Sequence, residues 1–186
     1  VPLLSPDDPL PYNPSRILVA GTSGSGKSTT ARRIAEVLDV PYVEIDSLQH
    51  GPDWAPRPTF VQDVHRFAAG PAWVMEWQYR DVRDHLADRA DLLLWLDLPR
   101  RRVMRQVIAR TVRRATRGEE LWNGNREPPL RSFFTDPDHI IRWAWKTHAR
   151  TEQTIAAAAA RRPALPIVRL RNRREIAHFV TTRLRT

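Results

Sequence analysis

Cysteine is absent from the 186-residue chain, which excludes disulfides, zinc–thiolate centres and a cysteine nucleophile. No apolar run approaches the roughly 20 residues that cross a bilayer, so no membrane partner is expected. The opening Val1-Pro2-Leu3-Leu4-Ser5-Pro6 lacks the charged region and apolar stretch of a secretory signal. These lacks together point to the cytoplasm. Acidic residues are outnumbered, with 21 Asp and Glu against 30 Lys and Arg and a net charge of +9. Such an excess suits an anionic partner, whether nucleic acid or a phosphorylated small molecule. Genome composition explains the same abundance of Arg, Ala and Pro, so charge alone does not decide. Lysine is scarce: only Lys27 and Lys146 occur among the basic residues.

One of those two lysines sits in Gly21-Thr22-Ser23-Gly24-Ser25-Gly26-Lys27-Ser28-Thr29. The stretch follows the apolar run Ile17-Leu18-Val19-Ala20 and leads into a helical pattern of Ala31, Ile34, Ala35 and Leu38. Strand, glycine-rich loop and helix form the context in which G-x-x-x-x-G-K-[ST] binds phosphate. Glycines let successive backbone N–H groups turn inward, at the positive end of the following helix. Lys27 would reach the outer phosphates of ATP, and the Ser28 hydroxyl would hold Mg²⁺.

At this length the chain reads as a single domain spanning residues 16–186, preceded by a proline-rich, extended and poorly ordered arm over 1–15. Apolar runs predict strands at 16–20, 42–45, 72–75, 91–97 and 167–170, with helices between them. Alternating strands and helices argue an α/β fold with a parallel sheet and helices on both faces. A helix over about 100–117 carries Val103, Val107 and Ile108 inside and a series of arginines outside. A polar loop follows, then a long helix over roughly 136–160.

Ligands in such sheets lie beyond the carboxyl ends of the strands. There the sequence delivers the phosphate loop, then Asp46, then Glu76 with Gln78 and Tyr79. Asp46 is the candidate to accept a proton from an attacking hydroxyl, or to orient that hydroxyl and touch Mg²⁺ directly or through water. Glu76, Gln78 and Tyr79 are candidate acceptor contacts, as is Trp54 in the proline-rich loop, where a flat substrate would stack. Arg110, Arg114 and Arg117 share one helix face, and one of Arg110 and Arg114 would neutralise the transferring phosphoryl group. Arg126 in the polar loop is a further candidate. The six histidines show no metal-ligand spacing, and only His50, near Asp46, draws notice.

Several of these segments resemble a known family. The phosphate loop, Ile45-Asp46-x-Leu48 followed by Trp54, Trp73-Val74 leading to Gln78-Tyr79, Leu96-Asp97-Leu98-Pro99-Arg100, and Leu121-Trp122-Asn123-Gly124-Asn125-Arg126-Glu127 look like adenylate-kinase-like P-loop proteins. Among those the chain most resembles the small bacterial DNA topology modulation (FlaR-like) proteins, over about residues 16–184. The resemblance implies a P-loop fold of the nucleoside- and shikimate-kinase type, with five parallel strands ordered 2-3-1-4-5 and a helical lid at about 110–135. It also implies ATP-dependent phosphorylation of a small acceptor, with Asp46 binding acceptor or metal, Arg110 and Arg114 closing over phosphates, and Arg171 bordering the adenine. One segment departs: that group shows Asp-Gly-Asn-Tyr where this chain has Glu76-Trp77-Gln78-Tyr79, so a tryptophan fills space near the acceptor. The expected activity is a Mg²⁺–ATP-dependent kinase acting on a nucleotide, nucleoside or other hydroxyl compound. The alternative is a nucleic-acid-associated ATPase or DNA-binding protein, disfavoured because no reading motif with interleaved aromatics is present.

Overall fold

Short apolar runs without polar alternation build the centre of the molecule, as buried parallel strands require. The computed structural model describes residues 3–118, 120–125 and 140–184, without the Trp143 side chain. Strands β1 (Leu3–Leu4), β2 (Arg16–Gly21), β3 (Trp73–Glu76), β4 (Leu92–Leu96) and β5 (Ile167–Leu170) form one parallel sheet. Helices α1 (Lys27–Leu38), α2 (Ile45–Gln49), α3 (Phe60–Ala68), α4 (Arg80–Arg89), α5 (Arg100–Arg117), α6 (Ile140–Arg161) and α7 (Arg173–His178) surround it, and a π-helical turn, Phe179–Arg183, follows α7.

Alternate strand residues feed two apolar layers. Ile17, Val19, Val74, Leu94 and Val168 pack with Ala31 and Ile34 of α1 and with Phe179 and Val180. Leu18, Trp73, Met75, Leu93 and Trp95 face the other way, against Phe60, Val64, Val82, Leu86 and Ile155. Each fully buried side chain of this size contributes about 1.5–3 kcal/mol, enough to hold the strand ends, and therefore the loops beyond them, in fixed register. Among the described residues no helix is long and apolar enough to cross a membrane.

The order across the sheet is β1-β5-β4-β2-β3, which corrects the expected 2-3-1-4-5. Four strands hold the relative places expected of them. The difference lies at the two edges. Residues 42–45 do not form a strand; only Tyr42 bridges, to Val74, and Ile45 already opens α2. The cause is Glu76 at the end of β3, whose carboxylate accepts the Ile45 N–H at 3.0 Å and the Tyr42 hydroxyl at 2.8 Å. The Ile45 N–H, a backbone donor a further ladder would use, is thereby spent on the Glu76 side chain.

The opposite edge is β1, inside the proline-rich arm, where the sequence shows no strand signal. Leu3 and Leu4 pair with Ile167 and Val168, so the arm expected to be poorly ordered is held against the sheet. Of the expected lid at about 110–135, residues 110–117 complete α5, while 119 and 126–135 lie outside the described residues. The long helix is α6; the expected first turn at 136–139 also lies outside them.

Asp91 anchors the arm. Its Oδ2 accepts the N–H groups of Ser15 (3.2 Å) and Arg16 (2.9 Å), and its Oδ1 pairs with Arg16 Nη2 at 2.6 Å. Burial alone would raise the Asp91 carboxyl, but hydrogen bonds from Arg16 and Ser15 outweigh it and hold the group below the usual carboxylate value. A depressed folded-state pKa stabilises above the unfolded value near 3.9 and is lost as pH falls through the folded one. Asp91→Asn should therefore lower stability at pH 7 by about 1–3 kcal/mol. Thermal melts should show the gap from wild type narrowing as pH drops from about 5 toward 3; a gap independent of pH would remove the charge from the account.

Candidate active site

Between Gly21 and Lys27 the chain curls in a way that only glycine allows at its turning points. Gly24 and Gly26 have φ of 82° and 95°, a region costing other residues about 1–2 kcal/mol. Space is limiting too, since a β-carbon on Gly24 would lie 2.1 Å from Val107 Cγ2 of α5. The loop therefore packs directly on α5, and Gln106 of that helix donates from Nε2 to Gly24 O at 2.9 Å. Ser25 N–H closes a turn onto Thr22 O at 2.9 Å. The N-cap of α1, Gly26, provides no side-chain cap, which leaves first-turn N–H groups for an anion.

Lys27 donates to Thr22 O at 3.3 Å. Burial pushes its ammonium below the ordinary lysine value, Asp46 and Glu76 pull it back up, and Arg110 lowers it again. The site thus surrounds one cation with two carboxylates and a guanidinium. Next to it, the Ser28 side chain hydrogen-bonds Glu76. Glu76 is 1% exposed, and its pKa is raised by burial against the pull of the bonds from Ile45, Tyr42 and Ser28.

Asp46 lies in the first turn of α2, not at a strand end as the sequence suggested. Its Oδ1 accepts from Gln78 Nε2 at 2.5 Å and from the Tyr79 hydroxyl at 2.6 Å. Tyr79 also meets His50 Nε2 at 3.1 Å. Burial and the neighbouring Asp46 carboxylate raise the Tyr79 phenol far above its ordinary value, so it stays a neutral donor. Tyr79 holds a positive φ of 62° just before α4, a backbone shape that turns its side chain's path back toward α2.

A cleft of about 1890 Å³ joins these parts. Phosphate-loop residues from Gly21 to Thr29, except buried Ser25, line one side; Asp46, Trp54, Gln78 and Tyr79 line it too. Arg110, Arg113 and Arg114 of α5 face it, whereas Arg117 does not. Glu76 does not line the cleft; it is committed to Tyr42, Ile45 and Ser28, so the expected acceptor contact becomes a support beneath the site. Arg171 does not line it either. Its N–H is held by Glu175 at 2.6 Å, in the capping arrangement where Asn172 accepts from Arg174 and Glu175 N–H. Arg173 takes the place at the cleft, bonded to Gln106 Oε1 at 3.3 Å. Arg126 lies outside the described residues.

The sequence reading missed several lining groups. Arg113 sits on the same helix face as Arg110 and Arg114. Thr147, Arg150, Thr151 and Thr154 of α6 also line the cleft, and their helical spacing was readable as a polar stripe. Thr151 Oγ1 meets Thr22 Oγ1 of the loop at 3.2 Å. Arg80, Arg83 and Gln106 carried no local signal, and Trp122 appeared only within the segment that bears the family resemblance.

Comparison with solved structures agrees with the fold. The chain superposes on a gluconokinase from Sinorhizobium meliloti 1021 with a TM-score of 0.51 and 19% identity, covering 93% of this chain and 91% of that one. A sugar kinase from Janibacter sp. HTCC2649 gives 0.49 and 18%, covering 90% and 91%. A shikimate kinase from Acinetobacter baumannii gives 0.49 and 14%, covering 89% and 88%. No protein-family model matches the sequence, and no curated protein matches it. The first of these likenesses supports the α/β fold with a five-stranded parallel sheet.

The two loop glycines separate strain from crowding. Gly26→Ala meets nothing within 4 Å and should cost only the backbone strain, about 1–2 kcal/mol. Gly24→Ala adds the collision with Val107 and should lose roughly 1–3 kcal/mol more. Chemical denaturation of both variants checks the ranking; equal losses would mean that the loop does not pack on α5 as described.

Proposed function

We propose that the chain is a phosphotransferase that passes the terminal phosphoryl group of ATP, with Mg²⁺, to a hydroxyl of a small molecule. The observation that carries this reading is that Asp46 and the phosphate loop line the same cleft, with Arg110, Arg113 and Arg114 facing it. The S. meliloti gluconokinase, named for phosphorylating a small hydroxy compound, shares the fold and supports the class without fixing the acceptor.

The residues present fit a nucleotide triphosphate. Left-handed glycines, an uncapped α1 and a desolvated Lys27 make an anion cradle. Ser28, already oriented by Glu76, would hold Mg²⁺, with Asp46 reaching it directly or through water. When bound, the metal would neutralise charge on the outer phosphate oxygens.

Asp46 does the acceptor chemistry in this reading. Both of its described donors fall on Oδ1, which leaves Oδ2 to an acceptor hydroxyl. The hydroxyl oxygen forms the new bond to the terminal phosphorus, the bond from that phosphorus to the oxygen bridging it to the β-phosphate breaks, and ADP leaves with the bridging oxygen. The hydroxyl proton passes to Asp46 and then to solvent. Arg110 is near enough to Lys27 to depress its pKa, so it is the better placed of the two candidate arginines to meet charge on the transferring group. Arg173, not Arg171, becomes the candidate for the nucleoside end. Arg110, Arg113 and Arg114 line the same cleft as the glycine-rich loop, which favours a nucleotide's phosphates over a duplex as their partner.

An ADP-release assay over nucleosides, nucleotides, sugars and sugar acids tests the proposal. Lys27→Ala should abolish turnover with every acceptor. Asp46→Asn should cut kcat by about 100-fold or more while KM for ATP stays within roughly threefold. A pure KM effect would take Asp46 out of the chemistry, and full turnover in Lys27→Ala would end the kinase reading.

A further inference from the structure

Three rings crowd together above Asp46. His50 and Trp54 meet edge to face with centroids 5.2 Å apart, and Trp54 meets Trp122 edge to face at 6.3 Å. His50 and Trp122 are nearly parallel, 27° between planes and 6.4 Å between centroids. All three line the cleft beside Tyr79, whose hydroxyl bonds both Asp46 and His50. The box therefore opens next to the carboxylate that addresses the acceptor hydroxyl.

This box is assembled across more than 70 positions of sequence by one side chain. Asn125 is 4% exposed. Its Nδ2 donates to Gly51 O and Trp122 O, both at 2.8 Å, and its Oδ1 accepts the Trp54 N–H at 2.9 Å. The amide's two N–H groups and its oxygen thus tie the backbone of Gly51, Trp54 and Trp122 together. Asn123 adds a bond from its own Nδ2 to His50 O. Asp53, Trp54 and Asn123 sit at positive φ of 54°, 60° and 58°, a left-handed cost that the amide bonds offset. So much strain in two loop tips pinned to each other would be wasteful for a mere crossing of loops. It makes sense as preorganisation of a binding surface.

Building on the kinase reading, we propose that His50, Trp54 and Trp122, set by Asn125, form a subsite for a planar unsaturated ring of the acceptor. His50 and Trp122, with centroids 6.4 Å apart and planes at 27°, offer ring faces on which a planar ring would stack. Edge-on Trp54 then closes the end, an arrangement aromatic groups favour. The acceptor is accordingly an alcohol borne near a flat ring, in contrast to saturated sugar acids. Nucleobases and simple aryl groups share this chemistry. Asn125 is a positioning residue here, acting through the two tryptophans.

Equilibrium titration followed by tryptophan fluorescence, without ATP, tests the subsite apart from any turnover. The probes are adenosine against D-ribose and benzyl alcohol against cyclohexylmethanol. Each flat-ring probe should bind roughly tenfold more tightly than its ring-less or saturated counterpart. A preference in the adenosine pair alone marks a nucleobase, and one in both pairs marks any planar ring. Trp122→Leu and Asn125→Asp should erase the preference, while Mg²⁺–ATP affinity and the circular dichroism spectrum stay as in wild type. Equal binding within both pairs, or a preference surviving Trp122→Leu, overturns the subsite. Neither result depends on phosphoryl transfer, so loss of the kinase reading would show separately, as no ADP release with any acceptor.

Discussion

A single buried carboxylate holds the two halves of the site in register. Glu76 ends β3, receives Tyr42 and the Ile45 N–H on one side, and meets the Ser28 side chain on the other. A charge taken out of water costs several kcal/mol unless donors replace its hydration, and here three donors do. The donors come from two working parts, Tyr42 and Ile45 from one and Ser28 from the other. Ile45 starts α2 and so places Asp46 one residue on; Ser28 belongs to the first turn of α1, directly after the loop lysine. Moving Glu76 would move both sides of the cleft at once. The same residue meets the departure at the sheet edge, since it holds the Ile45 N–H where α2 begins.

Around that support the cleft has walls of unequal character. The wall made by the loop between β2 and α1 is backbone: glycines at left-handed φ, a helix start and a tight fit against Val107 of α5. The wall around Asp46 is side chains in a network, Asp46 with Gln78 and Tyr79, then Tyr79 with His50. Helix α5 touches both, bonding Gly24 through Gln106 while its arginines face the cleft. In the proposed reaction this division is apt. Backbone amides recognise the phosphates common to all such reactions, and side chains select the acceptor.

Parts of this were legible because they depend on local pattern. Continuous apolar runs marked β2 to β5, and the glycine-lysine loop marked its own neighbours. The sequence grouped Asp46, Gln78 and Tyr79 at strand ends; the structure joins them by hydrogen bonds, though Asp46 lies in α2. What the sequence could not convey depends on long-range bonds. Residues 42–45 look like a strand until Glu76 is in place. Arg171 and Arg173 are alike in sequence, and only the Asn172–Glu175 cap decides which faces the loop. Asn125 shows no chemistry in the chain; its importance appears once Gly51, Trp54 and Trp122 are seen to converge on it.

Fold and proposed function meet in one requirement, that the loop between β2 and α1 grips the phosphates of a nucleotide. Titration calorimetry of Mg²⁺–ATP into folded protein addresses it directly. The account predicts one site per chain, with a dissociation constant between about 1 μM and 1 mM, weakened when the magnesium is chelated. Folded protein that gives no heat of binding, with or without magnesium, would contradict it.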